Sequence, residues 1–406
     1  MNSKTFYYFD NNATTRIAPE VVAAMMPYLT EEWGNPSSAY TFAQGAARAL
    51  ATAREQVASL IGADPKEVLF TSCGTESNNS VLHSALVTTG KRHIVTTAVE
   101  HSATLSHCQF LKRQGYDITF LPVSPEGGLD LSLLEKAIRP DTALVSVMWA
   151  NNETGVIFPI SEVAAIAHAR GVLCHTDAVQ TAGKLKINVQ EAGVDFLSLS
   201  AHKLHAPKGI GMLYVKKRTK YQPYLLGGHQ ERSRRGGTEN VPYIVGFGRA
   251  AELALQYLED ENTRVRALRD RMEASLLAII PYTRRNGALE PRLPNTSNLA
   301  FPYVEAEAVL MLLDQAGICA SSGSACTTGS LDPSHVLLAM NLSPMEARGS
   351  LRFSLGRDNT VADVNYLLEQ LPPIIRKLRA ISPLGPKPES GGATVTNPWK
   401  TIGFHG

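Results

Sequence analysis

The segment SSGSACTTGS, residues 321–330, places Cys326 among residues that are otherwise small, hydroxylated or glycine. A core-forming segment would carry branched apolar side chains, and a zinc site or disulfide framework would show more cysteines at ligand spacing. The chain has five cysteines, scattered and without a C-x-x-C pair. The sequence therefore argues against a structural zinc site and a disulfide framework, and the lone thiol on this loop needs another explanation.

Polar residues also follow candidate buried strands, at the end of the sheet where parallel α/β folds bind their ligands. In the run LFTSCGTES, Gly74 and Thr75 end a strand and open a helix. Free backbone N–H groups and a hydroxyl at a helix N-terminus suit a phosphate. A plain helix cap produces the same pattern, so this run alone does not separate the two interpretations.

Two further strand ends carry residues of other types. CHTDAVQ places Asp177 and Gln180 after a strand, where the carboxylate also suits a helix cap. SLSAHKLHAPKG ends an apolar strand with Ser200, His202 and Lys203. Pyridoxal phosphate needs an anchor for its phosphate, a partner for its pyridinium nitrogen and an amine for covalent attachment. A helix N-terminus that can bind phosphate, a carboxylate and a lysine together predict a pyridoxal-phosphate site.

The elements that must position these residues alternate between short apolar runs and amphipathic stretches such as ISEVAAIAHARG. This alternation predicts a mostly parallel sheet covered by helices on both faces. The candidate strands are residues 67–72, 93–98, 118–123, 143–149, 172–177, 194–200 and 211–215.

The pattern changes after about residue 260 to long charged helices around two short apolar segments, SNLAFPY and GSLRFSLG. A smaller α+β domain fits this part better. We expect a large cofactor-binding domain at residues 15–260 and a small domain formed by residues 1–14 and 261–383, which carries the cysteine loop. Residues 384–406 are rich in Pro and Gly and are expected to form a tail.

The composition is typical of a soluble globular protein: 406 residues, a net charge of +2 and 44% hydrophobic residues, enough for a large core and two domains. A charge near zero gives no indication of a nucleic-acid or membrane partner. No apolar run approaches the roughly 20 residues of a membrane span. The N-terminus lacks the apolar region of a signal peptide, so we expect a cytoplasmic protein.

The sequence resembles the cysteine desulfurases, which are fold-type I pyridoxal-phosphate enzymes of the class-V aminotransferase family, and most closely their NifS type. The resemblance covers nearly the whole chain, with motifs in family order: YFDNNATT, GNPSS, TSCGTES, VMWANNETG, HTDAVQ, SAHKLHAPKG, GGHQERSRRGGTEN, RLPNTSNLAF, SSGSACTTGSLDPSHVL and LRFSLG. It implies an α/β transferase with a large, mostly parallel seven-stranded sheet domain. One departure is Ser102 in VEHSATL, where the family usually has proline, which puts the turn after His101 in question.

Roles for individual residues follow from the resemblance. Lys203 is implied to attach pyridoxal 5′-phosphate and then to move protons at the substrate Cα. Asp177 pairs with the pyridine nitrogen, Gln180 binds the phenolic oxygen, and His101 stacks on the ring and relays a proton. The residues implied to hold the phosphate are Gly74, Thr75, Ser200, His202 and Thr238, the last from the neighbouring subunit of a homodimer.

The substrate implied by the resemblance is L-cysteine. Arg352 would clamp its carboxylate, since a guanidinium matches carboxylate geometry, and a surface salt bridge explains an arginine between apolar residues less well. Asn152 would supply an amide to the same carboxylate and contribute to the cofactor site. Cys326 would attack the substrate sulfur as a thiolate and keep it as a persulfide.

The implied acceptor is an iron–sulfur scaffold protein, within iron–sulfur cluster assembly and most closely nitrogenase maturation. No metal site of the protein's own is implied, although Cys326 can serve as a transient iron–sulfur ligand shared with the scaffold. The other thiols are expected to be ordinary buried ones: Cys73, Cys108, Cys174 and Cys319.

Our interpretation is a homodimeric cysteine desulfurase that makes L-alanine, and two rivals stay open. A selenocysteine lyase or an aminotransferase would use the same cofactor site without requiring the loop thiol. A non-catalytic interaction protein with a decayed site would not require Lys203, Asp177 and Cys326 to be intact.

Overall fold

The computed structural model describes residues 6–322 and 333–383. The strands in this part, numbered in chain order, are β1 Tyr7–Tyr8, β2 Val68–Thr71, β3 His93–Thr97, β4 Asp117–Leu121, β5 Thr142–Ser146, β6 Leu173–Asp177, β7 Phe196–Ser200, β8 Gly211–Val215, β9 Arg284–Arg285, β10 Thr296–Ala300, β11 Ile318–Cys319 and β12 Ser350–Ser354.

The helices are numbered in the same way. They are α1 Pro19–Thr30, α2 Gln44–Ile61, α3 Gly74–Thr89, α4 Ser102–Arg113, α5 Leu131–Ala137, α6 Ile160–Ala169, α7 Val189–Ala192, α8 Gln230–Ser233, α9 Val241–Gln256, α10 Leu258–Asp260, α11 Arg266–Ile279, α12 Ala306–Gln315, α13 His335–Ala339, α14 Pro344–Arg348 and α15 Val361–Ile381.

The central sheet has seven strands in the order β2-β8-β7-β6-β5-β3-β4. All neighbouring strands are parallel except β8, which runs antiparallel to both β2 and β7. Every residue of β2, β3, β5, β7 and β8 is buried, because the sheet is covered on both faces. The predicted α/β class with a mostly parallel seven-stranded sheet is confirmed.

Each predicted strand corresponds to a strand of this sheet, with small differences at the ends. The run at 211–215 matches β8, whereas the run at 143–149 is longer than β5, which ends at Ser146. The apolar pattern continues because Val147 and Met148 are buried beyond the end of the strand. The apolar run is therefore longer than the strand because residues after the strand end are still buried.

A second group of elements has its own core. Strands β12, β10 and β9 form an antiparallel sheet, and β1 pairs with β11 in parallel. Phe9 packs with side chains of α11, α12 and α15 in this second core, whereas Val336 and Leu337 of α13 pack into the core of the large sheet. The domain boundaries given above stay a prediction.

None of the helices within residues 6–322 and 333–383 has both the length and the apolar character needed to cross a membrane.

Candidate active site

A cavity of about 350 Å³ opens where β6 and β7 end and α3 begins. Most of the residues predicted from the sequence line it: Gly74, Thr75, His101, Asn152, Asp177, Gln180, Ser200, His202, Lys203 and Arg352. The structure thus brings together side chains that are spread over nearly 280 positions of the chain, as expected for parallel strands whose carboxyl ends share one edge.

Two predicted residues are not part of this cavity. Thr238 is exposed and lines a separate pocket beside Ser72 and Gly209. Cys326 lies outside the described residues.

Lys203 follows directly on β7, where a short turn at Ala201–Lys203 leads out of the sheet. Its Nζ donates hydrogen bonds to the backbone carbonyls of Asn12 and Ala13, the latter at 2.6 Å. Both acceptors belong to the motif YFDNNATT near the N-terminus. The N-terminal segment therefore fixes the position of the lysine amine at the cavity wall.

Asp177 is the last residue of β6 and is buried. Its Oδ2 accepts a hydrogen bond from Asn78 Nδ2 at 2.7 Å, and its Oδ1 accepts one from the Val179 amide at 3.0 Å. Both donors favour one fixed orientation of the carboxylate towards the cavity.

The N-terminus of α3 forms another wall of the cavity. The first N–H groups of a helix have no partner within it, so they are available to an anion. A Cβ added at Gly74 would lie 3.0 Å from Val179 Cγ2 and 3.4 Å from Ser200 Cβ. Glycine thus permits the close approach of this helix start to β7.

His202 lies beside this wall, with its Nδ1 3.1 Å from Thr14 Oγ1. Burial, assisted by the nearby charge of Lys203, lowers the pKa of His202 to about 4. The imidazole is therefore neutral near pH 7, and its ring nitrogens act as hydrogen-bonding groups without a charge.

His101 caps α4, because its Nδ1 accepts a hydrogen bond from the Ala103 amide at 3.1 Å. In a neutral ring this contact leaves the proton on Nε2. Ser102 is the first residue of α4, a position where proline is also well accommodated. The serine therefore leaves the turn after His101 and the cavity position of the imidazole intact.

Arg352 lies on β12 and is only 2% exposed. Its Nη2 pairs with Asp10 Oδ1 at 2.8 Å, and its Nη1 donates to the Asn152 carbonyl at 3.0 Å. Burial raises the pKa of Asp10, while the charge of Arg352 acts in the opposite direction. The predicted alternative of a surface salt bridge does not describe this buried arginine.

Several cavity residues were missed by the reasoning from sequence. They are Asn12, Ala13, Asn78, Glu153 and His335, together with Cys73. Signals existed for some of them, since Asn12 and Glu153 lie in the quoted motifs YFDNNATT and NNETG, and Asn78 is four residues from Gly74 on one helix face.

The expectation that the remaining thiols are buried is wrong for two of them. Cys108 and Cys174 are buried, but Cys73 and Cys319 are partly exposed. Cys73 caps α3, with its Sγ accepting a hydrogen bond from the Glu76 amide at 3.5 Å, so it lies at the cavity edge instead of in the core.

The cavity fits pyridoxal phosphate on two structural observations. Gln180 is buried, and its Oε1 has no hydrogen-bond partner among the described residues, although its Nε2 donates to the Asn12 carbonyl. An unpaired buried amide oxygen is costly, and a hydrogen-bond donor placed in the cavity, such as the phenolic O–H of the cofactor, would remove that cost. The helix start at Gly74 supplies the second observation, a place for an anion beside Lys203 and Asp177.

Comparison with known proteins agrees with this geometry. The model of the aminotransferase class-V family matches residues 7–367. The chain belongs to the class-V aminotransferase family. Family members are pyridoxal-phosphate enzymes, so the predicted family and cofactor are both confirmed.

The most informative relatives within the class-V family are named cysteine desulfurases. Cysteine desulfurase 1 of Trichormus variabilis is 54% identical over 377 residues, 93% of this chain and 94% of that protein. Cysteine desulfurase NifS of Azotobacter vinelandii is 50% identical over 397 residues, 97% of this chain and 98% of that protein.

A solved structure described as a NifS-like protein is 38% identical, with a TM-score of 0.87, and the match covers 92% of this chain and all of that one. The predicted fold-type I class is confirmed by this likeness.

Proposed function

We propose that this class-V family member is a pyridoxal-phosphate-dependent cysteine desulfurase that converts L-cysteine to L-alanine and leaves the sulfur on Cys326. The observation that carries the proposal is the convergence of Lys203, Asp177 and Arg352 on one cavity. These residues supply an amine, a carboxylate and a guanidinium, which together suit a cofactor and an amino-acid substrate.

Bound pyridoxal phosphate supplies an electron sink for the Cα of an amino acid attached to it. In our proposal Lys203 attaches the cofactor and, once free, moves protons at the substrate Cα. The carbonyls of Asn12 and Ala13 hold its amine at the cavity wall. Asp177, oriented by Asn78, pairs with the pyridine nitrogen.

The phosphate is assigned to the N-terminus of α3, with Gly74, Thr75, Ser200 and His202 around it. Helix N-termini favour anions through their free N–H groups and the helix dipole. Gln180 binds the phenolic oxygen, and His101 stacks on the ring and relays a proton through the nitrogen that does not cap α4.

The substrate carboxylate is assigned to Arg352 and the Asn152 amide, both of which line the cavity. Sulfur transfer is then a single displacement at the substrate sulfur. The Cys326 thiolate attacks the substrate sulfur, a S–S bond forms, the C–S bond breaks, and its electron pair stays on the substrate Cβ, which takes up a proton. The products are L-alanine and a persulfide on Cys326.

We further propose a homodimer in which Thr238 completes the phosphate site of the neighbouring subunit. Large apolar side chains on the outside of the protomer support it: Trp33 is 71% exposed and Leu226 is 78% exposed. Buried apolar area is the usual basis of obligate dimers. An iron–sulfur scaffold protein as acceptor, nitrogenase maturation as the process and a cytoplasmic location stay predictions.

The function is tested by treating the purified holoenzyme with L-cysteine and dithiothreitol and measuring alanine and sulfide. We expect equimolar products and, without reductant, a mass increase of one sulfur atom on the peptide with Cys326. Cys326→Ala should keep its cofactor absorbance and lose both products. Cys319→Ala is the matched control and should remain active.

Formation of a keto acid without alanine would identify an aminotransferase instead. A persulfide on Cys73 or Cys319 in the wild type would refute the role of Cys326.

A further inference from the structure

The residues on either side of the segment that contains Cys326 are described, and both are fastened to the cavity wall. On the N-terminal side, Ser321 exchanges two backbone hydrogen bonds with Arg352, at 2.7 and 3.2 Å. Arg352 is the residue assigned to the substrate carboxylate. The start of the segment is therefore tied to the strand that binds the substrate.

On the C-terminal side the attachment is made by side chains. Ser334 Oγ donates a hydrogen bond to Glu153 Oε2 at 2.5 Å and accepts one from the Leu337 amide at 3.3 Å as the N-cap of α13. Next to it, His335 Nε2 lies 3.0 Å from the Glu100 carbonyl oxygen. Two buried partners and a short O–H···O contact make the Glu153–Ser334 hydrogen bond a strong one.

Glu153 has no role in the proposed chemistry so far, although it lines the cavity and is 2% exposed. A carboxylate is poorly suited to bind the substrate carboxylate, because like charges repel. Burial raises the pKa of Glu153, and the hydrogen bond from Ser334 acts in the opposite direction. A buried carboxyl group with one close donor suggests a structural task for this side chain.

The backbone around Glu153 is held in a turn by the Asn151 side chain. Asn151 Oδ1 accepts hydrogen bonds from the amides of Glu153 and Thr154, both at 2.9 Å. The same turn presents Asn152, the second residue assigned to the substrate. Ser334 is thus hydrogen-bonded to the same turn that places Asn152 on the cavity wall.

We propose that Glu153 is a positioning residue for sulfur transfer, which fixes through Ser334 the point where the chain returns to the cavity wall after Cys326. The two ends of the segment are then set by the two elements that bind the substrate, β12 and the turn at 151–155. This inference rests on the proposed function and adds a residue that acts on one step of it.

The first test compares two substitutions of Glu153 in the holoenzyme. In Glu153→Gln the amide oxygen still accepts the Ser334 hydrogen bond, whereas Glu153→Leu has similar size and no acceptor. We expect kcat for alanine formation to fall about ten- to hundred-fold in the leucine variant, the usual cost of a misplaced reacting group. The glutamine variant should stay within about threefold of the wild type, because the contact that matters is kept.

A second readout separates positioning from substrate binding. The absorbance change of the bound cofactor on adding L-cysteine reports binding before any sulfur moves. In both variants the amplitude and the half-saturation concentration of this absorbance change should match the wild type within about threefold, because a substitution that affects only the later step leaves substrate binding unchanged. A raised half-saturation with normal kcat in Glu153→Leu would show that Glu153 acts on Asn152 instead, and would overturn the proposal.

If Glu153→Leu does not fold, substitutions of Ser334 test the role of the Glu153–Ser334 hydrogen bond. Ser334→Thr keeps the hydroxyl, while Ser334→Gly places a residue that is nearly as good as serine at the N-cap of α13 but has no hydroxyl to donate. We expect the threonine variant to be active and the glycine variant to lose kcat as Glu153→Leu does. An active Ser334→Gly would mean that the hydrogen bond to Glu153 does not matter and would refute the role of Glu153. Absence of alanine formation in the wild type would instead refute the proposed function.

Discussion

Both terminal nitrogens of Arg352 are engaged within the protein, by Asp10 and by the Asn152 carbonyl. Its Nε is buried and has no hydrogen-bond partner among the described residues. These contacts hold the guanidinium plane in one orientation, and Asp10 provides its negative partner. A side chain held in this way can bind a carboxylate with little further loss of conformational entropy.

Replacing Arg352 by alanine should weaken cysteine binding by roughly 1.5–3 kcal/mol, the usual value for hydrogen bonds to charged groups. That loss corresponds to about a ten- to hundred-fold increase in Kd. Half-saturation of the cofactor absorbance change by L-cysteine measures it, with the spectrum of the resting holoenzyme unchanged.

Asp10→Asn is the matched control for Arg352→Ala, because asparagine can still accept the hydrogen bond from Nη2. A similar loss of affinity in both variants would show that the Arg352–Asp10 pair matters for structure and that the substrate carboxylate is bound elsewhere.

At the scale of elements, the ends of β3 and β5 meet around a buried acid. Glu100 follows β3 and is 1% exposed, and its Oε1 accepts hydrogen bonds from Thr97 Oγ1 at 2.7 Å and the Met148 amide at 3.0 Å. Burial raises the pKa of Glu100 from 4.5 to about 8, and the charge of Asp177 adds to this effect. The folded protein therefore keeps this proton at neutral pH.

The pH dependence of stability follows from that proton. Between pH 4.5 and about 8 the folded state holds a proton at Glu100 that the unfolded chain has released, so the free energy of unfolding falls as the pH rises. The slope is at most about 1.4 kcal/mol per pH unit. Glu100→Gln has no proton to lose there, so its urea midpoint should fall less between pH 5 and 8.

The exposed glutamate Glu20 provides a control for this measurement, because Glu20→Gln should follow the wild-type pH dependence. Equal pH dependence of Glu100→Gln and the wild type would contradict a protonated Glu100 in the folded state.

At the scale of the whole molecule, one proposed site residue lies outside the cavity of its own protomer. Thr238 is exposed and lies in a different pocket, whereas the other described residues of the site share one cavity. A residue that serves the phosphate of a partner subunit would have this location in a single protomer.

Mixed dimers test this assignment. Lys203→Ala should be inactive and Thr238→Val should bind its cofactor weakly. In a mixed dimer one site then carries both substitutions and the other carries neither, so each mixed dimer should have about half the activity of the wild-type dimer. Random reassociation makes about half of the dimers mixed, so we expect the refolded mixture to reach about a quarter of wild-type activity. Activity is measured after unfolding and refolding the two variants together.

Mixing Lys203→Ala with Asp177→Ala is the control, because both residues line the same cavity and neither site can be intact. Failure of Thr238→Val to restore activity to Lys203→Ala would place Thr238 in the site of its own subunit.

The amino-acid sequence by itself determined the elements and the chemistry at their ends. Apolar runs of strand length located all strands of the central sheet, because burial on both faces leaves a local pattern in the sequence. Lys203 and Asp177 could be found because they end such runs, and the carboxyl ends of parallel strands meet at one edge. The antiparallel direction of β8 had no comparable local signal.

Only the tertiary structure decided which distant residues touch. Asp10 and Arg352 are 342 positions apart, and Glu153 and Ser334 are 181 apart, yet each pair forms a short hydrogen bond. Hydrophobic periodicity reports whether a side chain is buried, but it carries no information on its partner. The partners are set by how β12 and α13 pack against the N-terminal segment and the turn at 151–155, which depends on the fold of the whole chain between them.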